Sequence, residues 1–205
     1  PEQFLSVDRS GLVSTSPIKG TRRRGRAAAD DARLMAELRD DVKERAENLM
    51  IVDLMRNDLS RVCETGSVYV PELFGVESHP QVHQLVSTVR GRLRNDKDLV
   101  DLITATFPAG SMTGAPKRRA MELIDQLESD PRGLYAGAFG FIGHDRRLEL
   151  SMTIRTLVYD GGCISLGTGG GITALSDRDS EVDEIHPKAR ALPAGIGLPE
   201  EGGAR

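Results

Sequence analysis

The chain has 205 residues, and its 27 basic against 31 acidic side chains give a net charge of −4. With 39% apolar and 28% charged residues, it is too apolar for a disordered chain and too mixed for a fibrous one, and its length suits one domain or most of a larger one. No apolar run approaches the ~18–20 residues of a membrane span, and the mildly acidic balance argues against nucleic acid as a partner.

The start, Pro1-Glu2-Gln3-Phe4-Leu5, lacks the basic flank and apolar stretch of a signal peptide. Cys63 and Cys163 are too few for a disulfide scaffold and too isolated for a zinc site, which predicts a soluble protein of a reducing cytoplasm. Phe4-Leu5-Ser6-Val7, the turn signal Asp8-Arg9-Ser10-Gly11 and Leu12-Val13-Ser14-Thr15 predict a hairpin. An exit loop, Ser16 to Thr21, follows, and then the basic run Arg22-Arg23-Arg24-Gly25-Arg26, read as a solvated loop because no aromatics interleave with it.

From about Asp30 to Arg56 the residues Leu34, Leu38, Val42, Leu49 and Met50 recur at helical spacing, with Ala46 filling the stripe, and predict one long helix. Val68-Tyr69-Val70 and Val86-Ser87-Thr88-Val89 read as strands, and Asp98 to Ala105 as a short helix. The Gly/Pro-rich loop Phe107 to Pro116 opens a helix over Lys117 to Leu127. Strands are expected over Ala138 to Ile142, Leu148 to Val158 and Cys163 to Leu166, and a helix from about Asp177 to Ala191. Strand blocks and helix blocks are segregated, which predicts an α+β fold with antiparallel sheets and flanking helices over residues 1–192, followed by a frayed tail over 193–205.

Four features could carry chemistry. Glu181 and Glu184 share a helix face, and with Glu47 they would make the hard oxygen site that magnesium prefers; the commoner use of such a pair is a solvated helix surface. Gly169-Gly170-Gly171 either lets backbone N–H groups approach an anion or simply turns the chain. Arg155, between apolar neighbours, points to solvent or to an anionic partner that its planar fork would match. Lys19, between Ile18 and Gly20, is either a surface charge or a nucleophile, and as a nucleophile it must be deprotonated. His79, His83, His144 and His186 make no zinc-ligand set.

Taken together, six motifs in order resemble the chorismate-utilising enzymes. They are Pro17-Ile18-Lys19-Gly20-Thr21, Glu47-Asn48-Leu49-Met50-Ile51-Val52-Asp53-Leu54, Val82-His83-Gln84-Leu85-Val86-Ser87, Gly110 to Lys117, Thr153-Ile154-Arg155-Thr156 and Gly169-Gly170-Gly171-Ile172. The resemblance runs from Glu2 to about Leu192 and implies a chorismate-binding domain of the anthranilate synthase component I type. Lysine at position 19, where anthranilate and isochorismate synthases carry alanine, resembles the aminodeoxychorismate synthase component I subgroup.

That resemblance implies a mechanism and a set of roles. Chorismate and ammonia, supplied by a glutamine amidotransferase subunit, would give 4-amino-4-deoxychorismate for para-aminobenzoate and folate synthesis. Lys19 would be the nucleophile at C2, Glu2 the general acid, and Thr21 a third catalytic residue in the Lys19 loop. Glu47, Glu181 and Glu184 would associate with Mg2+, while Tyr135, Arg155, Gly169, Gly170, Gly171 and Lys188 would bind substrate. Gln84 stands where the family usually has histidine, and Pro187 falls inside the last predicted helix. Family members are much longer, so the chain is expected to be a carboxy-terminal part whose first hairpin lacks its partner strands and which has little activity alone. Anthranilate synthase, or a remnant that only binds the amidotransferase, are the alternative readings.

Overall fold

The computed structural model describes residues 2–174 and 176–195, with the side chains at 187, 188 and 190–195 outside the described set. Its elements are β1 (Gln3–Val7), β2 (Leu12–Thr15), β3 (Ile18–Arg23), α1 (Ala28–Asp40), α2 (Val42–Ser60), β4 (Tyr69–Ser78) and β5 (Val82–Arg92). They continue with α3 (Leu99–Thr106), α4 (Lys117–Leu127), β6 (Ala138–Ile142), β7 (Leu148–Met152), β8 (Leu157–Asp160), β9 (Cys163–Leu166) and α5 (Arg178–Gly195). Every strand pairing is antiparallel, so the α+β expectation holds.

Among the described residues, seven strands form one sheet, in which β5 carries β4 on one side and both β2 and β3 along the other, and β1, β7 and β6 continue from β2. The first hairpin is therefore interior. β1 pairs with β2 and with β7, and β2 pairs with β5 in the register Thr15↔Val89. The expectation that its partner strands are absent is wrong, because residues far along the chain, in β5 and β7, supply them. Asp8 shapes the hairpin turn: one carboxylate oxygen accepts from the amides of Ser10 and Leu12 and from the Ser10 hydroxyl.

The long helix is two. Asp41 adopts an extended conformation between α1 and α2, and its carboxylate accepts the Glu44 amide as an N-cap. One residue outside the helical path resets the phase of the apolar stripe. Leu38 is fully buried, but Val42 is 81% exposed and Leu49 43% exposed, while the inward face of α2 is Asn48, Ile51, Val52, Met55 and Leu59. That face packs on Phe4, Leu5, Val13, Val89, Leu102 and Leu148 to make the core. The short helix α3 begins as expected, on an Asp98 and Asp101 capping box.

The basic run is no solvated loop. Arg22 and Arg23 lie in β3; Arg22 pairs with Asp41 at 2.8 Å and Glu44 at 3.5 Å, and Arg24 holds Asp31 at 2.6 Å. These pairs fasten α1 and the start of α2 to the sheet. The Arg24 guanidinium and the Gly25 amide hold the Asp31 carboxyl well below the usual carboxylate range. His83 is buried beside the same carboxylate at 2.9 Å, with Ser78 on its other ring nitrogen at 2.8 Å, so its role is to brace α1 on the sheet.

Two later expectations also change. The strand predicted over Leu148 to Val158 stops at Met152, because Arg155 takes a left-handed conformation (φ 49°) and the chain restarts in a separate two-stranded sheet, β8 with β9. Helix α5 continues through Pro187 to Gly195, so the first three residues assigned to the tail are helical, and 196–205 lie outside the described residues.

Candidate active site

Lys19 owes its position to a buried network behind it. Asn48 is fully buried; its amide nitrogen donates to the Pro17 carbonyl at 3.4 Å, and its oxygen accepts from the Ser87 hydroxyl at 2.5 Å. The Ser87 amide also donates to Pro17 O at 3.2 Å, while Ser87 Oγ accepts from the Phe74 amide at 2.9 Å. Four segments are thus tied at one polar point inside an apolar core, where unpaired groups would be costly. The chain then bends at Gly20 (φ +87°), where a Cβ would lie 2.8 Å from Leu38 Cδ1. Only glycine lets this strand approach the helices so closely. The result sets Lys19 Nζ 3.7 Å from Glu47 Oε2, with both side chains largely shielded.

Glu2 stands at the same end of the sheet, where it lines a small cavity with Pro17, Ile51 and Ser111. Burial pushes its carboxyl up, opposed by the Ile18 backbone hydrogen bond, the Lys19 charge, a hydrogen bond from Ser111 and the Arg155 charge. A carboxyl that keeps its proton above the usual range is suited to donating it. Ser111 arrives on a loop that Lys117 pins down. The Lys117 ammonium pairs with Asp58 on α2 and donates to Thr106 O at 2.8 Å. Burial raises the Asp58 carboxyl while Lys117 pulls it down.

Glu47, Glu181 and Glu184 converge, but on a cation belonging to the chain. Lys43 Nζ lies 3.4 Å from Glu181 Oε1 and 4.0 Å from Glu47 Oε1, and the charge of Glu184 acts on it too. Glu181 is 6% exposed and accepts from the Ser176 hydroxyl at 2.7 Å. Three carboxylates have the hard-oxygen chemistry that suits a divalent ion. Their geometry here is that of an ammonium site: among the described residues no three carboxylates, imidazoles or thiols stand closely enough to hold a metal ion.

The glycines of 169–171 line the other wall. A Cβ on Gly171 would lie 3.3 Å from Lys19 Nζ, one on Gly170 would lie 3.0 Å from Glu181 Oε2, and one on Gly169 would lie 3.0 Å from the Tyr135 hydroxyl. Tyr135 is half-buried against this loop, and burial raises its phenol. Arg155 is exposed, yet its charge acts on Glu2. Six of the expected residues, Glu2, Lys19, Glu47, Glu181, Gly170 and Gly171, thus share one neighbourhood, while Glu184 and Arg155 reach it by charge and Tyr135 by way of Gly169. Thr21 is exposed opposite Gln84 on β5. The Lys188 side chain lies outside the described residues.

Sequence reasoning missed Lys43, Ser111, Ser176 and Asn48. Lys43 was legible as the residue four before Glu47 on a helix, and Ser111 sat inside a motif already singled out. Asn48 also sat inside a quoted motif, but its partners Pro17 and Ser87 are 31 and 39 residues away, and Ser176, five residues before Glu181, lay in no motif.

Residues 1–194 match the family model for chorismate binding enzyme. The chain is 51% identical over 191 residues to a probable chloroplastic aminodeoxychorismate synthase of Oryza sativa subsp. japonica, covering 93% of this chain and 21% of that protein. It is also 51% identical over 196 residues to an aminodeoxychorismate synthase of Streptomyces pristinaespiralis, covering 96% and 27%. Among solved structures, anthranilate synthase component I from Streptococcus pneumoniae TIGR4 superposes with a TM-score of 0.83 at 39% identity, covering 94% of this chain and 42% of that one. The chain therefore spans about a quarter of the length of the two curated relatives. No helix among the described residues is long and apolar enough to cross a membrane. With its fold and its family match in agreement, the chain belongs to the chorismate-binding enzyme family.

Proposed function

We propose that this chain carries the reaction centre of an aminodeoxychorismate synthase component I, converting chorismate and ammonia to 4-amino-4-deoxychorismate and water. The observation that carries the reading is a lysine, Lys19, set 3.7 Å from Glu47 in a shielded site under Gly171, within reach of the charge of Glu2, whose carboxyl burial pushes up. The 51% identity to two proteins named aminodeoxychorismate synthase supports it.

In the proposed reaction the deprotonated Lys19 amine bonds to chorismate C2 with its lone pair. The ring electrons shift and the C4–O bond breaks, while Glu2 gives its proton to the oxygen, which leaves as water. Ammonia then bonds at C4, the two ring double bonds shift back, the C2–N bond breaks to return neutral Lys19, and the new C4 ammonium gives a proton back to the Glu2 carboxylate. Arg155, Tyr135, Lys188 and the amides of Gly169, Gly170 and Gly171 would grip the substrate carboxylates, and Thr21 would order the Lys19 strand. Glu47, Glu181 and Glu184 are the carboxylates that would have to draw together and release Lys43 to hold a magnesium ion, which would supply positive charge against one substrate carboxylate. The word component in the pneumococcal relative's name fits a partner subunit, which we assign as a glutamine amidotransferase supplying ammonia in a cytoplasmic route to para-aminobenzoate.

Mass spectrometry of the chain incubated with chorismate, Mg2+ and ammonia tests the reading. A chorismate-derived adduct on Lys19, lost in Lys19→Ala, supports it. Anthranilate formation without an adduct would assign the chain to the anthranilate reaction instead, and neither product nor adduct would leave a remnant that only binds the amidotransferase.

A further inference from the structure

Arg132 lies between α4 and β6, and its guanidinium reaches three partners. Nε and Nη2 donate to the two Glu128 carboxylate oxygens at 2.8 and 2.7 Å, a bidentate pair, and Nη1 donates to the Met112 carbonyl at 2.6 Å. Its Cζ also stands 6.0 Å from the centre of the Tyr135 ring, within range of a cation–π contact. The side chain is 27% exposed, so these contacts are only partly screened by water. Met112 follows Ser111, whose hydrogen bond acts on Glu2. Tyr135 shares a tight turn with Arg132, its amide donating to the Arg132 carbonyl at 3.1 Å. The Tyr135 ring lies on Gly167, where a Cβ would clash with it, and its hydroxyl reaches Gly169.

We propose that Arg132 is a positioning residue that fixes the Ser111 loop and the Tyr135–Gly169 wall relative to one another. It acts on proton donation through the first and on substrate affinity through the second, a kinetic consequence that rests on the aminodeoxychorismate reading above. The planar fork suits this task. Two of its N–H directions go to Glu128 and a third to a backbone carbonyl, whereas a lysine would offer only a point charge. Glu128 sets the orientation, because a bidentate pair leaves the guanidinium little freedom to rotate. The hydrogen bonding from Arg132 holds the Glu128 carboxyl below its usual range. The loop needs such a tether. Its regular structure is one short turn, closed by the Met112 amide on the Ala109 carbonyl at 3.1 Å and the Thr113 amide on the Gly110 carbonyl at 3.2 Å. A single turn orders several residues for few hydrogen bonds and is marginal by itself.

The full chain is compared with Arg132→Met and with Glu128→Gln, which keeps the guanidinium but weakens its anchor. Amide hydrogen exchange followed by NMR needs no ligand. In Arg132→Met the Met112 and Thr113 amides should exchange several-fold faster, as should those of Tyr135 and Gly137, while Gly11 in the first hairpin keeps its rate. Glu128→Gln should show smaller changes at the same places. The rate of adduct formation at Lys19 is then measured against pH and chorismate concentration. Arg132→Met should raise the half-saturating chorismate concentration several-fold. It should also move the alkaline limb upwards, because Glu2 loses the Ser111 hydrogen bond while the Ile18 backbone bond and the charges of Lys19 and Arg155 remain. In a Ser111→Ala background the limb should move no further, while the effect on half-saturation persists. A lower melting temperature with the limb and half-saturation unmoved would mean that Arg132 only stabilises the fold, and overturns the proposal. Wild-type exchange at either segment in Arg132→Met overturns it too; should that variant not fold, wild-type exchange in Glu128→Gln does so. No adduct in wild type overturns the aminodeoxychorismate reading alone, and exchange then decides the role of Arg132.

Discussion

Asn48 on α2 donates to the carbonyl of Pro17, and this contact joins the helix bearing Glu47 to the strand bearing Lys19. The neighbouring side chain then determines the chemistry: one helical residue faces inwards to hold the strand, and the preceding one meets the lysine. Asn48→Ala should lower stability by roughly 1–3 kcal/mol, because the buried Ser87 hydroxyl loses its acceptor. Urea unfolding checks the stability, and the loss of adduct formation at Lys19 checks the positioning.

Glu2→Gln should reduce turnover of chorismate by ~10²–10⁴-fold with little change in chorismate binding, the loss expected of a general acid. Its stability effect has a definite sign. Burial raises the folded-state value of Glu2, so the stability of wild type is full below the unfolded value of 4.5 and falls as pH rises through the folded one. Glu2→Gln should therefore melt alongside wild type near pH 4 and above it at pH 8, as thermal melts across that range would reveal.

Ser111→Ala removes a hydrogen bond that favours the ionised form of Glu2, which should move the alkaline limb of the pH–rate profile upwards. A profile that falls in height without shifting would mean that Ser111 only packs the loop.

Lys117→Met strands the buried Asp58 carboxylate, which is 6% exposed at its side chain. The expected cost is about 3–5 kcal/mol in urea unfolding, and pairing it with Asp58→Leu should recover most of that loss.

Gly171→Ala places a methyl group 3.3 Å from the Lys19 ammonium. The lysine tip must give way, so adduct formation should slow by roughly tenfold or more while the melting temperature stays close to wild type. An equal loss of stability would mean that the added group disturbs the loop itself.

Much of the fold was legible where a local signal repeats. Helix α4, strands β6 and β9 and the first hairpin fall where period and turn residues place them, because those cues act over a few neighbouring residues. The break at Asp41 was hidden by a stripe that continues across it, and only the cap hydrogen bond to Glu44 reveals that the phase changes. The basic run misled for a related reason. Composition reads Arg22 and Arg24 as solvated, but their acids lie up to 22 residues away and come close only when α1 and α2 fold back onto β3.

The sequence by itself determined which groups are present: a lysine between isoleucine and glycine, a glutamate near the start, a carboxylate pair three residues apart and a run of glycines. Their order along the chain sufficed for the family, since order is a linear property. Tertiary structure decided everything that depends on distance: that Glu47 lies against Lys19, that Ser111 reaches Glu2, that the hairpin is interior to the sheet, and that Lys43 stands between Glu47 and Glu181. The physical reason is that electrostatic and hydrogen-bonding energies fall away within a few ångströms, and only the pairing of β5 and β7 with the first hairpin brings such remote residues within that range.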